Sequence, residues 1–136
     1  MAEFKKQVPR PTPETQHFWD GTKKQQLLLQ QCDQCQHTYF PPRPFCPKCA
    51  STEVTITQAS GKATLYSYVI NHRPLPGFDN PHSIAVVELE EGPRMMSNIV
   101  GCPQTPEALV LDMALDVTFE ALTDDINLAQ FQPAEA

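Results

Sequence analysis

In the second half of the chain, apolar positions recur with a period of two. Residues 115–122 (LDVTFEAL) alternate most regularly, with Leu115, Val117, Phe119 and Ala121 on one face and Asp116, Thr118 and Glu120 on the other. That is the signature of a strand with one buried side. Residues 83–90 (SIAVVELE) put Ala85, Val87 and Leu89 on a common face. Residues 63–72 (ATLYSYVINH) are rich in aromatic and β-branched side chains, which favour strands. Residues 94–100 (RMMSNIV) follow the turn Glu91-Gly92-Pro93, and 126–132 (INLAQFQ) supply a fifth strand. Five such strands, with a short connecting element near 103–111, predict a small closed barrel of the five-stranded OB type. Gly61, just before the first of them, marks a point where chains approach closely.

The first half reads differently. Thr12-Pro13-Glu14 predicts a helix start: a hydroxyl cap, a proline in the first turn and an acid at the positive helix end. Gly21 is the expected stop. A helix of about nine residues is unstable alone and must pack on something. Phe18 and the single Trp19 are its apolar content, so Trp19 either packs on its own chain or anchors a partner. Leu27-Leu28-Leu29 predicts a short strand leading into the cysteines that follow.

Proline sets the boundaries. Ten of the fourteen prolines cluster at 9–13, 41–47 and 74–81, where fixed φ and a missing donor make stiff loops. They divide the chain into a leader (1–31), a Cys-rich module (32–50) and a body (51–136). The loop 73–82 (RPLPGFDNPH) carries Phe78 near its tip and is a candidate wall of a groove.

The chain has 136 residues, 40% hydrophobic and 19% charged, which suits one globular unit plus a small module. No apolar run approaches the ~18–20 residues of a membrane span. The first fourteen residues lack the apolar stretch of a signal peptide. The expectation is a cytoplasmic protein with reduced thiols and no membrane association. Residues 1–50 carry seven Lys/Arg against four Asp/Glu, a balance of +3. Residues 51–136 carry three against twelve, or −9, and the two sum to −6. An acidic body opposes non-specific binding to a polyanion.

The chemistry is concentrated in four cysteines. Cys32-Asp33-Gln34-Cys35 and Cys46-Pro47-Lys48-Cys49 form two C-x-x-C turns separated by ten residues. Two such knuckles offer four thiolates to one tetrahedral ion, and the spacer lets backbone amides point at the sulfurs. Residues 39–43 (YFPPR) form the arm and turn between them. Disulfides are not expected in the cytoplasm, and a thioredoxin-type pair needs one C-x-x-C at a strand-to-helix junction. Zinc is the expected ion; iron, in the manner of rubredoxin, suits the same donors. With Cys32, Cys35, Cys46 and Cys49 all used, no open position remains, so the metal is structural. Lys48 and Arg43 are placed to offset the resulting negative charge. Cys102 stands alone, and His72 or His82 would have to serve it as a base if it were a nucleophile. No triad, paired-carboxylate or open-metal pattern is present, and no catalytic residue is assigned.

Taken in order, these features resemble one family. The carrying residues are Phe18-Trp19-Asp20-Gly21, Cys32 to Cys35, Phe40-Pro41-Pro42-Arg43, Cys46-Pro47-Lys48-Cys49, Ser60-Gly61 and Tyr66-Ser67-Tyr68, over about residues 12–132. The family is the zinc-ribbon/OB-fold, acyl-CoA-associated family known as domain of unknown function thirty-five. The resemblance implies a mainly β chain with an N-terminal helix, a rubredoxin-like zinc ribbon and an OB-fold barrel. It also implies a non-catalytic accessory subunit in a hetero-oligomer, docking a thiolase-like acyltransferase, condensing enzyme or steroid side-chain aldolase and binding acyl-CoA. Two positions depart from the family. Ala50 follows the second knuckle where glycine is common, and Leu111-Asp112-Met113 stands where a small residue or glycine is usual. The alternative is a nucleic-acid-binding ribbon/OB module, with Tyr66, Tyr68 and Phe78 as stacking rings on a basic groove.

Overall fold

The computed structural model describes residues 6–134. Within them lie one helix, α1 (Gln16–Lys23), and eight strands: β1 (Leu28–Cys32), β2 (Thr38–Tyr39), β3 (Val54–Gln58), β4 (Lys62–Asn71), β5 (His82–Leu89), β6 (Arg94–Ser97), β7 (Ala114–Ala121) and β8 (Asn127–Pro133).

The helix starts and ends later than Thr12 and Gly21 suggest. Thr12-Pro13-Glu14 makes only a turn, closed by the Thr15 N–H donating to Thr12 O at 3.0 Å, and Thr15 is the N-cap. Gly21 lies inside the helix and is buried. A Cβ built there would meet Leu28 Cδ1 at 2.6 Å, so this glycine lets β1 approach the helix.

Two sheets follow. The ribbon sheet has the order β2-β1-β3, all antiparallel. The second sheet has the order β6-β5-β4-β7-β8 and curls into the OB-like half-barrel. Its register slips once, between Leu65 and Ser67, the bulge a strongly curved strand needs. The two sheet edges are stitched together. Val100 N–H donates to Phe131 O at 2.8 Å and Phe131 N–H donates to Asn98 O at 3.1 Å, with Ile99 and Phe131 bridged in parallel.

Alternation predicts burial well in β5, where Ala85, Val87 and Leu89 are at most 2% exposed. It fades along β7. Leu115 is buried, Val117 and Phe119 are half-buried and Ala121 is exposed. Beyond Phe119 the strand runs out past the core into the turn that leads to β8. Leu65, Phe131, Ile99 and Leu109 complete the core, Leu109 from the 103–111 connection. Gly61 makes the expected close approach: its φ is +86°, its carbonyl accepts from Val117 N–H at 2.8 Å, and a Cβ would sit 2.8 Å from Val117 Cγ1.

Helix α1 lies against both sheets, touching β1 and β8. The Asn127 side-chain amide donates to Thr22 O at 3.0 Å, and Thr22 Oγ1 donates to Trp19 O at 2.7 Å. Among the described residues no helix is long and apolar enough to cross a membrane.

Candidate metal centre and an apolar cleft

Strand β1 ends at Cys32, and the chain turns at once. Cys32 N–H donates to His37 O and its carbonyl accepts from Gln36 N–H, both at 2.9 Å. The second knuckle repeats the device: Cys46 N–H donates to Ser51 O at 2.8 Å, and Ala50 N–H donates to Cys46 O at 2.9 Å. Gln36 and Ala50 close the two turns, and both have φ of +65°. The arm between the knuckles is pinned to β1, with Arg43 N–H donating to Gln30 Oε1 at 2.6 Å and Tyr39 Oη donating to Arg43 O at 3.2 Å. Thr55 Oγ1 on β3 bonds both carboxylate oxygens of Asp33 at 2.8 Å.

These turns bring four sulfurs together, all within 4.8 Å of one another. Cys32 Sγ lies 3.5 Å from Cys49 Sγ, and Cys35 Sγ lies 3.6 Å from Cys46 Sγ. A sulfur tetrahedron around a zinc-sized ion has edges of about 3.8 Å. Backbone N–H groups point at the sulfurs: Gln34 and Cys35 at Cys32 Sγ, both 3.4 Å, and Lys48 at Cys46 Sγ, 3.3 Å. The Cys35 amide is the main cause that brings the Cys32 thiol down to about 7. The Ser51 amide lowers Cys49 too, but burial and the neighbouring sulfurs outweigh it and push that thiol up to about 12. Four thiols this close cannot all ionise without a cation among them, so donors, spacing and electrostatics fit a structural metal site.

Ala50 stands where a left-handed backbone favours glycine. Ala50→Gly is expected to stabilise the ribbon by about 0.5–1 kcal/mol. The urea midpoint of the metal-loaded protein measures it; an unchanged or lower midpoint would count against the strain. The family's other departure is of the same kind, since Asp112 has φ of +68° and donates its N–H to Leu65 O at 2.8 Å.

Other sequence candidates are dispersed. Cys102 and His82 line one cavity of about 130 Å³ with Gln104 and Gln130. They make no hydrogen bond to each other, and burial pushes the Cys102 thiol up, away from a nucleophile. His82 Nδ1 lies 3.1 Å from Asp79 O, so it carries the proton, and its ring stacks on Phe78 at 4.7 Å. His72 is exposed, as are Arg43 and Lys48 on the ribbon. The three rings considered for stacking are already engaged. Arg94 covers Tyr66 at 3.8 Å, Lys6 lies 4.7 Å from the Phe78 centroid, and Tyr68 packs against the core.

Sequence reasoning missed an apolar cleft of about 220 Å³ where helix, ribbon arm and barrel meet. Trp19, Phe40, Pro42, Met96 and Leu128 line it. Trp19 packs edge-on to Phe18 at 4.9 Å, Phe18 lies 5.3 Å from Phe40, and Met96 is 70% exposed. No periodicity marks the cleft, because its walls come from four separate segments.

A closed four-sulfur ribbon leading into an OB-like half-barrel defines a zinc-ribbon/OB protein. The family model described as the ChsH2 rubredoxin-like zinc ribbon domain matches residues 19–55, and that of the ChsH2 C-terminal OB-fold domain matches residues 57–120. A DUF35 domain-containing scaffold protein of Methanocaldococcus jannaschii is 35% identical over 111 residues, covering 79% of this chain and 77% of that protein. The chain belongs to this DUF35 family. It is also 33% identical over 139 residues to a probable enoyl-CoA hydratase alpha subunit of Thermomonospora curvata, of which it spans 43%. The solved structure of the Ltp2-ChsH2(DUF35) aldolase superposes with a TM-score of 0.83 at 30% identity, covering 93% of this chain and 99% of that one.

Proposed function

We propose that this chain is a non-catalytic accessory subunit that docks a thiolase-like enzyme and helps it handle acyl-CoA. The observation that carries the reading is the cleft of Trp19, Phe40 and Met96: an aromatic anchor and an exposed methionine on a rigid three-part junction. Half-exposed tryptophan beside flexible Met is the composition of interface hot spots. The relatives, a scaffold protein, a probable hydratase alpha subunit and an aldolase, point the same way. Zinc is the ion we assign to Cys32, Cys35, Cys46 and Cys49, where it would hold the two knuckles without an open position. Arg43 and Lys48 give that end of the molecule a cationic rim suited to CoA phosphates.

The test is capture of the tagged chain from native lysate, followed by reconstitution with the thiolase-like protein recovered. The pair is expected to turn over an acyl-CoA that neither partner handles well alone. Trp19→Ala should weaken the pair by about 2 kcal/mol, and Met96→Lys should do so while leaving the fold's melting temperature unchanged. Turnover at enzyme-like rates by the isolated chain would overturn the reading. So would partner binding indifferent to both substitutions.

A further inference from the structure

The ribbon sheet ends on an open edge. Strand β3 pairs with β1 on one side, and β1 pairs with β2 on its other side. The ladder fixes which backbone groups face which way. Asp33 N–H donates to Glu53 O and Ala59 N–H donates to Leu27 O. In an antiparallel register these bonded pairs alternate with unbonded ones, so Thr55 and Thr57 direct their backbone groups to β1. Val54, Ile56 and Gln58 direct theirs away from it. Val54 N–H is satisfied by Thr52 O at 3.1 Å. Among the described residues, the N–H and C=O of Ile56 and of Gln58 and the C=O of Val54 have no hydrogen-bonding partner.

Other sheet edges of the described chain are blunted in part. Strand β2 is two residues long, and the edges of the barrel are stitched at Ile99–Phe131. Strand β3 has none of the usual defences. Its sequence, VTITQ, carries no charge, no proline and no bulge, and Ile56 is 47% exposed. Such an edge accepts an extended strand, because backbone donors and acceptors in a row match nothing else as well.

We infer that β3 pairs antiparallel with β3 of a second copy of this chain, about a two-fold axis at Ile56. The strand is complementary to itself in that register. Ile56 of each copy exchanges both backbone bonds with Ile56 of the other. Gln58 N–H of each copy meets the free Val54 O of the other. Thr55 falls opposite Thr57, a favourable cross-strand pair, and no charge opposes a like charge within the strand. The result is one continuous six-stranded sheet with an isologous contact. It leaves the cleft of Trp19 and Met96 to a different partner, so it does not depend on the function proposed above.

Sedimentation and light scattering of the metal-loaded full chain test this, with amide hydrogen exchange as the local readout. A concentration-dependent monomer–dimer equilibrium is expected, with protection at the Ile56 and Gln58 amides rising as dimer forms. Ile56→Pro removes only the outward N–H and leaves the ladder to β1 intact. Ile56→Lys places two like charges at the axis. Each should raise the dimer Kd by about tenfold or more while metal content and circular dichroism stay the same. A wild-type chain that remains monomeric into the millimolar range would overturn the inference. So would a dimer untouched by both substitutions, or amides at 56 and 58 that become protected only when another protein is added.

Discussion

Removing the metal is expected to unfold the ribbon ahead of the barrel. The ribbon sheet has only Leu29 and Tyr39 as well-buried apolar strand residues, beside Cys32 and Cys46 at 0% exposure. Its five-residue and two-residue strands are too short to persist unaided. A four-thiolate metal contributes on the order of 10 kcal/mol or more of folding free energy. That matches the whole stability of an ordinary domain, about 5–15 kcal/mol. Trp19 reports the change, since it packs on Phe18, and Phe18 packs on Phe40 of the ribbon arm. Chelation under reducing conditions should shift Trp19 fluorescence and erase the first of two melting steps. Acidification should do the same, because protons compete with the metal for thiolates and its affinity falls as pH falls. Adding Zn²⁺ back should restore both signals, and Mg²⁺ should not, since it prefers oxygen donors. Cys46→Ser should mimic chelation. An unchanged melt in protein shown to be metal-free would remove the metal from any structural role.

Phe131→Ala is expected to cost about 3–5 kcal/mol. The ring is fully buried, and its backbone carries both hydrogen bonds that close the barrel. Truncation leaves a void under the seam between β8 and the 98–100 segment, where the closing contact is one bridge wide. Urea unfolding should show a lower midpoint with an unchanged slope. Val69→Ala, at a site 60% exposed, is the control and should stay within about 0.5 kcal/mol. Equal costs at the two positions would mean that the seam does not carry the core.

The sequence is legible where one physical demand dominates. The four cysteines announce their cluster because metal geometry dictates the spacing of the knuckles and little else. The barrel strands announce themselves where one face is sealed, as in β5. Alternation persists in β7 beyond the point where burial stops, because strand chemistry is local and the extent of the core is not. Strand β3 is hard to read for the opposite reason: with both faces largely exposed, VTITQ has no apolar stripe to betray it. The helix start is misplaced because Thr12 and Thr15 bond each other in a turn, and the helix begins only after Thr15. Gly21 carries the usual mark of a helix end but serves close packing instead. The cleft escapes any local reading, since residues 19, 40, 96 and 128 meet only after both sheets have formed.

Helix α1 is wedged between the two sheets, hydrogen-bonded at Thr22 to Asn127 beside the start of β8 and pressed on β1 through Gly21. It therefore works as a keystone. The ribbon sheet and the half-barrel both bear on the same eight residues of helix. Whatever grips Trp19 takes hold of an element on which ribbon and barrel both bear.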